Sequence, residues 1–153
     1  MGREALIARE AEAWAEFRAE VDRLTPEQRE VPNANAEGWS VRDVLWHIAY
    51  WWNDLSRLVE EVNSGTAFVE PPEDDEATNA DNARVLAESR QMTIDAVERA
   101  VEAARARLLS AWSELTDPVD EGLERWFVWE TIEHYEEHVE DARRSAEEIG
   151  RRG

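Results

Sequence analysis

The chain contains no cysteine. That excludes disulfides, thiolate metal ligands and a nucleophilic thiol of its own, and it leaves the redox compartment open. Basic residues are few, 17 against 36 acidic ones, for a net charge of −19 with neutral histidines. Such a surface repels phosphate backbones and anionic lipid headgroups, so nucleic acid and membranes are set aside as partners. The acidity reads either as cation attraction or, more plainly, as a solvated surface. Breakers are scarce, with 6 Gly and 5 Pro. No apolar run approaches the roughly 20 residues of a membrane span. The N-terminus is charged from Arg3 onward and lacks the apolar stretch of a signal peptide. The cytoplasm is therefore the expected compartment.

What is present suits one α-helical domain over residues 1–153. Apolar residues make up 42 %, eight of them Trp, enough for a core without crosslinks. Ala, Glu, Arg and Leu dominate, all good helix formers. A first helix is expected over about 3–24, with Ile7, Ala11, Trp14, Phe17, Val21 and Leu24 stepping by three or four. Ser40, followed by Asp43, reads as a cap opening a second helix over about 40–64, whose stripe runs from Val41 to Val62 and stops at Gly65. Residues 65–78 carry Gly, two Pro and an acidic cluster. Extended, they reach roughly 40 Å, enough to return along a whole helix and permit a crossover. A third helix is expected over about 79–115, with Thr93 a point of break or kink, and a fourth over about 123–149, with Phe127, Ile132, Tyr135, Val139, Ala142 and Ile149 facing inward. The basic tail from Gly150 is expected to fray. The fold class that follows is an all-α four-helix bundle with a long connection between helices two and three.

Three histidines occur: His47, His134 and His138. The last two stand at i and i+4, which puts both rings on one helix face. Such a pair can share a divalent ion if a further ligand is supplied, and His47 is the one other imidazole. The sequence between the pair is Tyr-Glu-Glu, unlike zinc proteases, where Glu directly follows the first His. The plain alternative is a solvated pair and a hydrogen-bonded His47. Asp43, Glu130 and Asp141 lie one turn from the three histidines and could orient them. Tyr50, Glu130 and Tyr135 are candidate catalytic groups, as proton donors or bases. Tyr50, Trp51 and Tyr135 also read as core aromatics, and Glu137 as part of a solvated face. Trp46, Trp51, Trp52, Trp126 and Trp129 exceed what a small core requires, so one or two are expected at a pocket mouth or dimer interface.

The segment from Gly38-Trp39-Ser40 to His47, the pair His134-x-x-x-His138, and Asn79-Ala80-Asp81-Asn82 together resemble the DinB-like superfamily of four-helix metal proteins. They are most similar to the branch holding maleylpyruvate-isomerase-like and colibactin-resistance-like bundles, alongside bacillithiol and mycothiol S-transferases. The resemblance implies a DinB-type bundle with a crossover between helices two and three. It implies one divalent metal, Zn, Ni or Fe, on His47, His134 and His138. It also implies a homodimer and a small-molecule substrate. The chemistry implied is thiol transfer with a low-molecular-weight thiol cosubstrate, or hydrolysis, on a small electrophile. A non-catalytic binding or stress-protection bundle is the alternative. A thiol that carries carboxylates calls for cationic side chains, and near the histidines in sequence stand only Arg42, Arg125, Arg143 and Arg144.

Overall fold

The computed structural model describes residues 2–32 and 34–152, and among them there is no strand. The elements are α1 (Arg3–Asp22), a 3-10 turn (Gln28–Glu30), α2 (Val41–Asn63), α3 (Asp75–Ser89), α4 (Ile94–Ser113), α5 (Glu121–Val128), a π turn (Trp129–Glu133) and α6 (His134–Arg152). The expected third helix is therefore two. It opens earlier, where the Asp74 carboxylate caps Ala77 N–H, and it breaks at residues 90–93, where the Thr93 hydroxyl caps α4 at Ala96 N–H. The last helix extends past its expected end at Ile149, through Gly150 to Arg152, with Arg151 and Arg152 reaching back to Glu147 and Glu148.

Cross-helix pairs give the topology. Glu10 meets Tyr135 and Glu20 meets Arg143, so α1 and α6 run parallel. Arg18 pairs with Glu98 and Glu10 with Arg105, so α4 runs antiparallel to α1. Arg42 donates to Met92 O, Arg107 pairs with Glu60, and Asn63 donates to Ala111 O, so α4 is parallel to α2. A parallel neighbour requires a crossover. Residues 64–93 make it, and α3 carries the return along α2, tied by Trp51 Nε1 to Asn82 and by Ser89 Oγ to Asp43.

The core follows the apolar stripes. Val41, Val44, Leu45, Ile48, Trp52, Leu55 and Val59 of α2 are buried against Val97, Val101, Leu108 and Trp112 of α4. Along α1 and just past its end the expected stripe holds at Phe17, Val21 and Leu24, with Ile7 and Trp14 packed against the core, but Ala11 is exposed and Leu6 and Glu10 are buried beside it. Glu10 sits in the core because Arg105 pairs with both its oxygens, at 3.0 and 2.7 Å, and Tyr135 Oη donates to it at 2.8 Å. α2 ends where Gly65 takes φ +100°, a conformation that disfavours any side chain.

Candidate metal centre

His47 lies two turns into α2, and its helix start is well determined. Ser40 Oγ accepts from Asp43 N–H, and Asp43 Oδ2 accepts from Ser40 N–H, a reciprocal capping box. Just before it, Asn35 Oδ1 accepts from Glu37 N–H and Trp39 N–H, and Gly38 takes φ 81°. This tight loop sets the Trp39 ring 5.0 Å from His47 and nearly parallel to His138 at 6.4 Å.

The other two histidines depend on the π turn. The inward residues Phe127 and Ile132 are five apart, a step that an α-helix cannot place on one face but an i→i+5 turn can. Thr131 Oγ1 donates to the Phe127 carbonyl at 2.6 Å within that turn. α6 then starts at His134 with His134 and His138 aimed at α2. All three rings are buried, at 7–8 % exposure. Nε2 of His47 and Nε2 of His134 are 2.9 Å apart, and the three possible ligand atoms all lie within 4.8 Å of one another.

The rings are suited to ligation, which requires neutral imidazole. Desolvation, then the neighbouring His138, push His47 down to about 3, against a smaller opposing effect of Asn82. Desolvation and the other two histidines hold His134 well below its ordinary value. His138 Nδ1 is 2.8 Å from Asp141 Oδ2, which fixes that ring and leaves Nε2 for a ligand role. Nδ1 of His47 and of His134 is buried without a well-formed hydrogen bond; the Asn82 side chain and the Glu130 carbonyl are the polar groups beside them. Of the three orienting groups expected, only Asp141 acts through its carboxylate. Asp43 is committed to Ser40 and Ser89.

The histidines form the floor of a cleft of about 740 Å³, a size suited to a small molecule. Loop 35–39 contributes Asn35, Glu37 and Trp39. From α2 come Trp51 and Asp54. The crossover lends Pro71, Pro72, residues 73–75, Thr78, Asn79 and Asn82. The last helix gives Trp126, Trp129, Glu130, Glu137 and Asp141. Of the candidate catalytic groups, Glu130 alone faces this space. Its carboxyl is pushed up to about 8, by burial first and then by Asp54 and Glu137. Tyr135 is buried on a neighbouring face of α6 that meets the core, among Trp14, Phe17 and Trp52, with its hydroxyl on Glu10. Tyr50 packs on Trp51 under the Arg84 guanidinium, outside the cleft. Neither tyrosine lines the cleft: Tyr135 directly follows His134 and is turned away by the hundred-degree step of the helix, while Tyr50, three residues past His47, packs on Trp51 and Arg84 and leaves the cleft wall to Trp51.

A family model described as the mycothiol maleylpyruvate isomerase N-terminal domain matches residues 10–134. The chain belongs to that family. It is a DinB-like family, and the crossover bundle described above is of DinB type. The match takes in His47 and ends at His134, so His138 stands just beyond it. No curated protein and no solved structure matches the chain.

Of the arginines near the histidines in sequence, none lines the cleft of this family member. Arg42 turns to Glu30, Asp43 and the Met92 carbonyl. Arg125 lines a second cavity that shares Trp126 and Trp129 with the cleft, Arg143 pairs with Glu20 and Glu140, and Arg144 is exposed. Asn82 and the acidic start of α3 went unforeseen as cleft residues. Their place depends on where the crossover lands.

Proposed function

We propose that the protein is a metal-dependent enzyme acting on a small molecule, with one divalent ion held by His47, His134 and His138. One observation carries this reading: three buried imidazoles, two of them held neutral, converge at the floor of a small-molecule cleft. The donor set fits the group. Three nitrogens suit Zn, Ni or Fe(II) better than hard cations, which prefer oxygen, and 2.9 Å between two of them is compatible with bonds of about 2.0–2.1 Å to a shared ion. Such an ion supplies Lewis acidity, activating a water or a low-molecular-weight thiol near neutral pH. The reaction class is attack on a small electrophile, by hydrolysis or thiol transfer.

The chain's own residues have distinct parts in that chemistry. Asp141 holds the His138 ring in one tautomer. Trp39 packs over the His47 and His138 rings and shields them from solvent. Glu130, protonated at neutral pH in the metal-free protein, keeps a proton at the cleft wall that it can pass to a leaving group.

Metal content of protein purified without a histidine tag tests the reading. About one equivalent in the wild type, lost in both His47→Ala and His138→Ala, is the result expected for a three-ligand site. A wild type that is metal-free and resists loading with Zn, Ni or Fe(II) overturns it. One observation favours the alternative of a metal-free binding bundle. The 2.9 Å contact between His47 and His134 is also the length of a hydrogen bond between two neutral rings.

A further inference from the structure

The charge on the cleft walls bears on what enters. Eight carboxyl side chains and four tryptophans line the cleft, and no arginine does. Over the whole chain the ratio is 36 acidic residues to 17 basic ones, so general acidity alone does not give eight to none. Several acids elsewhere are matched: Glu98 by Arg18 and Arg29, Glu10 by Arg105, Glu60 by Arg107. In the cleft only Asp54 has an arginine partner, Arg57, and only Asp141 is bonded to a histidine. Glu37, Glu73, Asp75 and Glu137 face the space with no ion pair among the described residues. The walls are indole: Trp126 and Trp129 meet edge to face at 4.9 Å, and Trp129 is half exposed at the rim. Carboxylates and indole faces together are the environment that attracts an organic cation. Apart from Glu130 seven carboxylates remain, and a divalent ion on the histidines cancels only two of their charges.

Resting on the proposed site, we propose that the cleft selects a substrate bearing an organic cation, an ammonium or guanidinium group on a compact apolar body. The carboxylates hold the charged end toward the crossover and the tryptophans cover the body, leaving its reactive end over the histidines. Carboxylate-bearing thiols are disfavoured as cosubstrates by the same field.

Benzyltrimethylammonium tests this with the full chain. It has no lone pair, cannot ligate a metal, and so reports on the walls separately from the histidines. Its affinity is measured by titration calorimetry beside benzyl alcohol and phenylacetate. The expected result at about 10 mM salt is a cation bound at least about tenfold tighter than the alcohol, phenylacetate not bound, and the preference shrinking at about 0.2 M salt. Asp75→Asn with Glu137→Gln should weaken cation binding about fivefold or more while keeping the helical spectrum and melting temperature. Glu12→Gln with Glu16→Gln, the same charge change on the exposed face of α1, should leave it unchanged. In His47→Ala, where the proposed ion cannot hold a carboxylate, phenylacetate binding as tightly as the cation overturns the proposal, as does an equal effect of the remote pair in the wild type. Cation binding that survives in His47→Ala separates the two readings: if the wild type also proves metal-free, the metal reading fails and the cleft's selectivity stands.

Discussion

Glu130 and Tyr135 are five residues apart, and they illustrate how burial sorts titratable groups into roles. Glu130 pays for its place on the cleft wall with a carboxyl pushed up from 4.5 to about 8. An acid whose folded pKa lies above its unfolded one costs nothing below about pH 4.5, and its cost grows as pH rises until about 8. The full shift corresponds to roughly 5 kcal/mol, an upper bound because the side chain is partly exposed. Glu130→Gln should therefore raise the melting temperature of metal-free protein at pH 8.5 and leave it almost unchanged at pH 4, as thermal melts at both values would show. Tyr135 is instead a core residue whose hydroxyl satisfies Glu10. Tyr135→Phe should cost about 1 kcal/mol of stability, because Arg105 still pairs with Glu10, and should leave metal stoichiometry intact. Loss of the metal in that variant would restore a site role to the tyrosine.

At the scale of elements, two local devices aim the histidines. The capping box of Ser40 and Asp43 starts α2 two turns before His47, and Asp43 also accepts from Ser89, which pins α3 to that start. Ser40→Ala should cost about 1 kcal/mol, as for other cap losses. Asp43→Ala should cost more, about 2 kcal/mol, because it leaves Ser40 N–H without its buried acceptor and Ser89 Oγ with the Leu86 carbonyl alone. Denaturant unfolding of both variants checks the order. The π turn is the second device. It absorbs the five-residue step between Phe127 and Ile132, so that Leu123 and Phe127 of α5 and Tyr135 and Ala142 of α6 all reach one core while His134 and His138 reach the cleft.

For the molecule as a whole, the centre makes stability depend on pH and on metal. His47 and His134 titrate below their unfolded value of about 6.5 because burial opposes their charge. A depressed histidine contributes nothing adverse above that pH, and its burial destabilises the fold progressively as pH falls from about 6.5 toward 3, where the unfolded chain binds the protons. Metal-free protein should thus lose stability on acidification through that window, and His47→Gln should flatten the slope in melts taken from pH 7 to 4. At pH 7.5 an ion that binds the folded state alone should raise the melting temperature with its concentration. Among the described residues no helix is long and apolar enough to cross a membrane.

Much of this was legible in the residue order. Composition and period made the chain all-helical, Ser40 and Asp43 marked a helix start, and the i, i+4 spacing of His134 and His138 placed two rings on one face, because these are local effects of backbone geometry. The stretch from Gly65 to Thr78 was long enough for a crossover, but length permits a path without choosing one. Thr93 marked the break between α3 and α4, but only tertiary packing decided that α3 would return along α2, that Glu10 would be buried, and that Tyr50 and Tyr135 would turn away from the histidines. Packing also brought His47 within 2.9 Å of His134 across 87 positions of chain and gathered acidic residues from four separate segments around one cleft. Each of these depends on which helices become neighbours, and that is settled by burying the stripes together, not by any short run of residues.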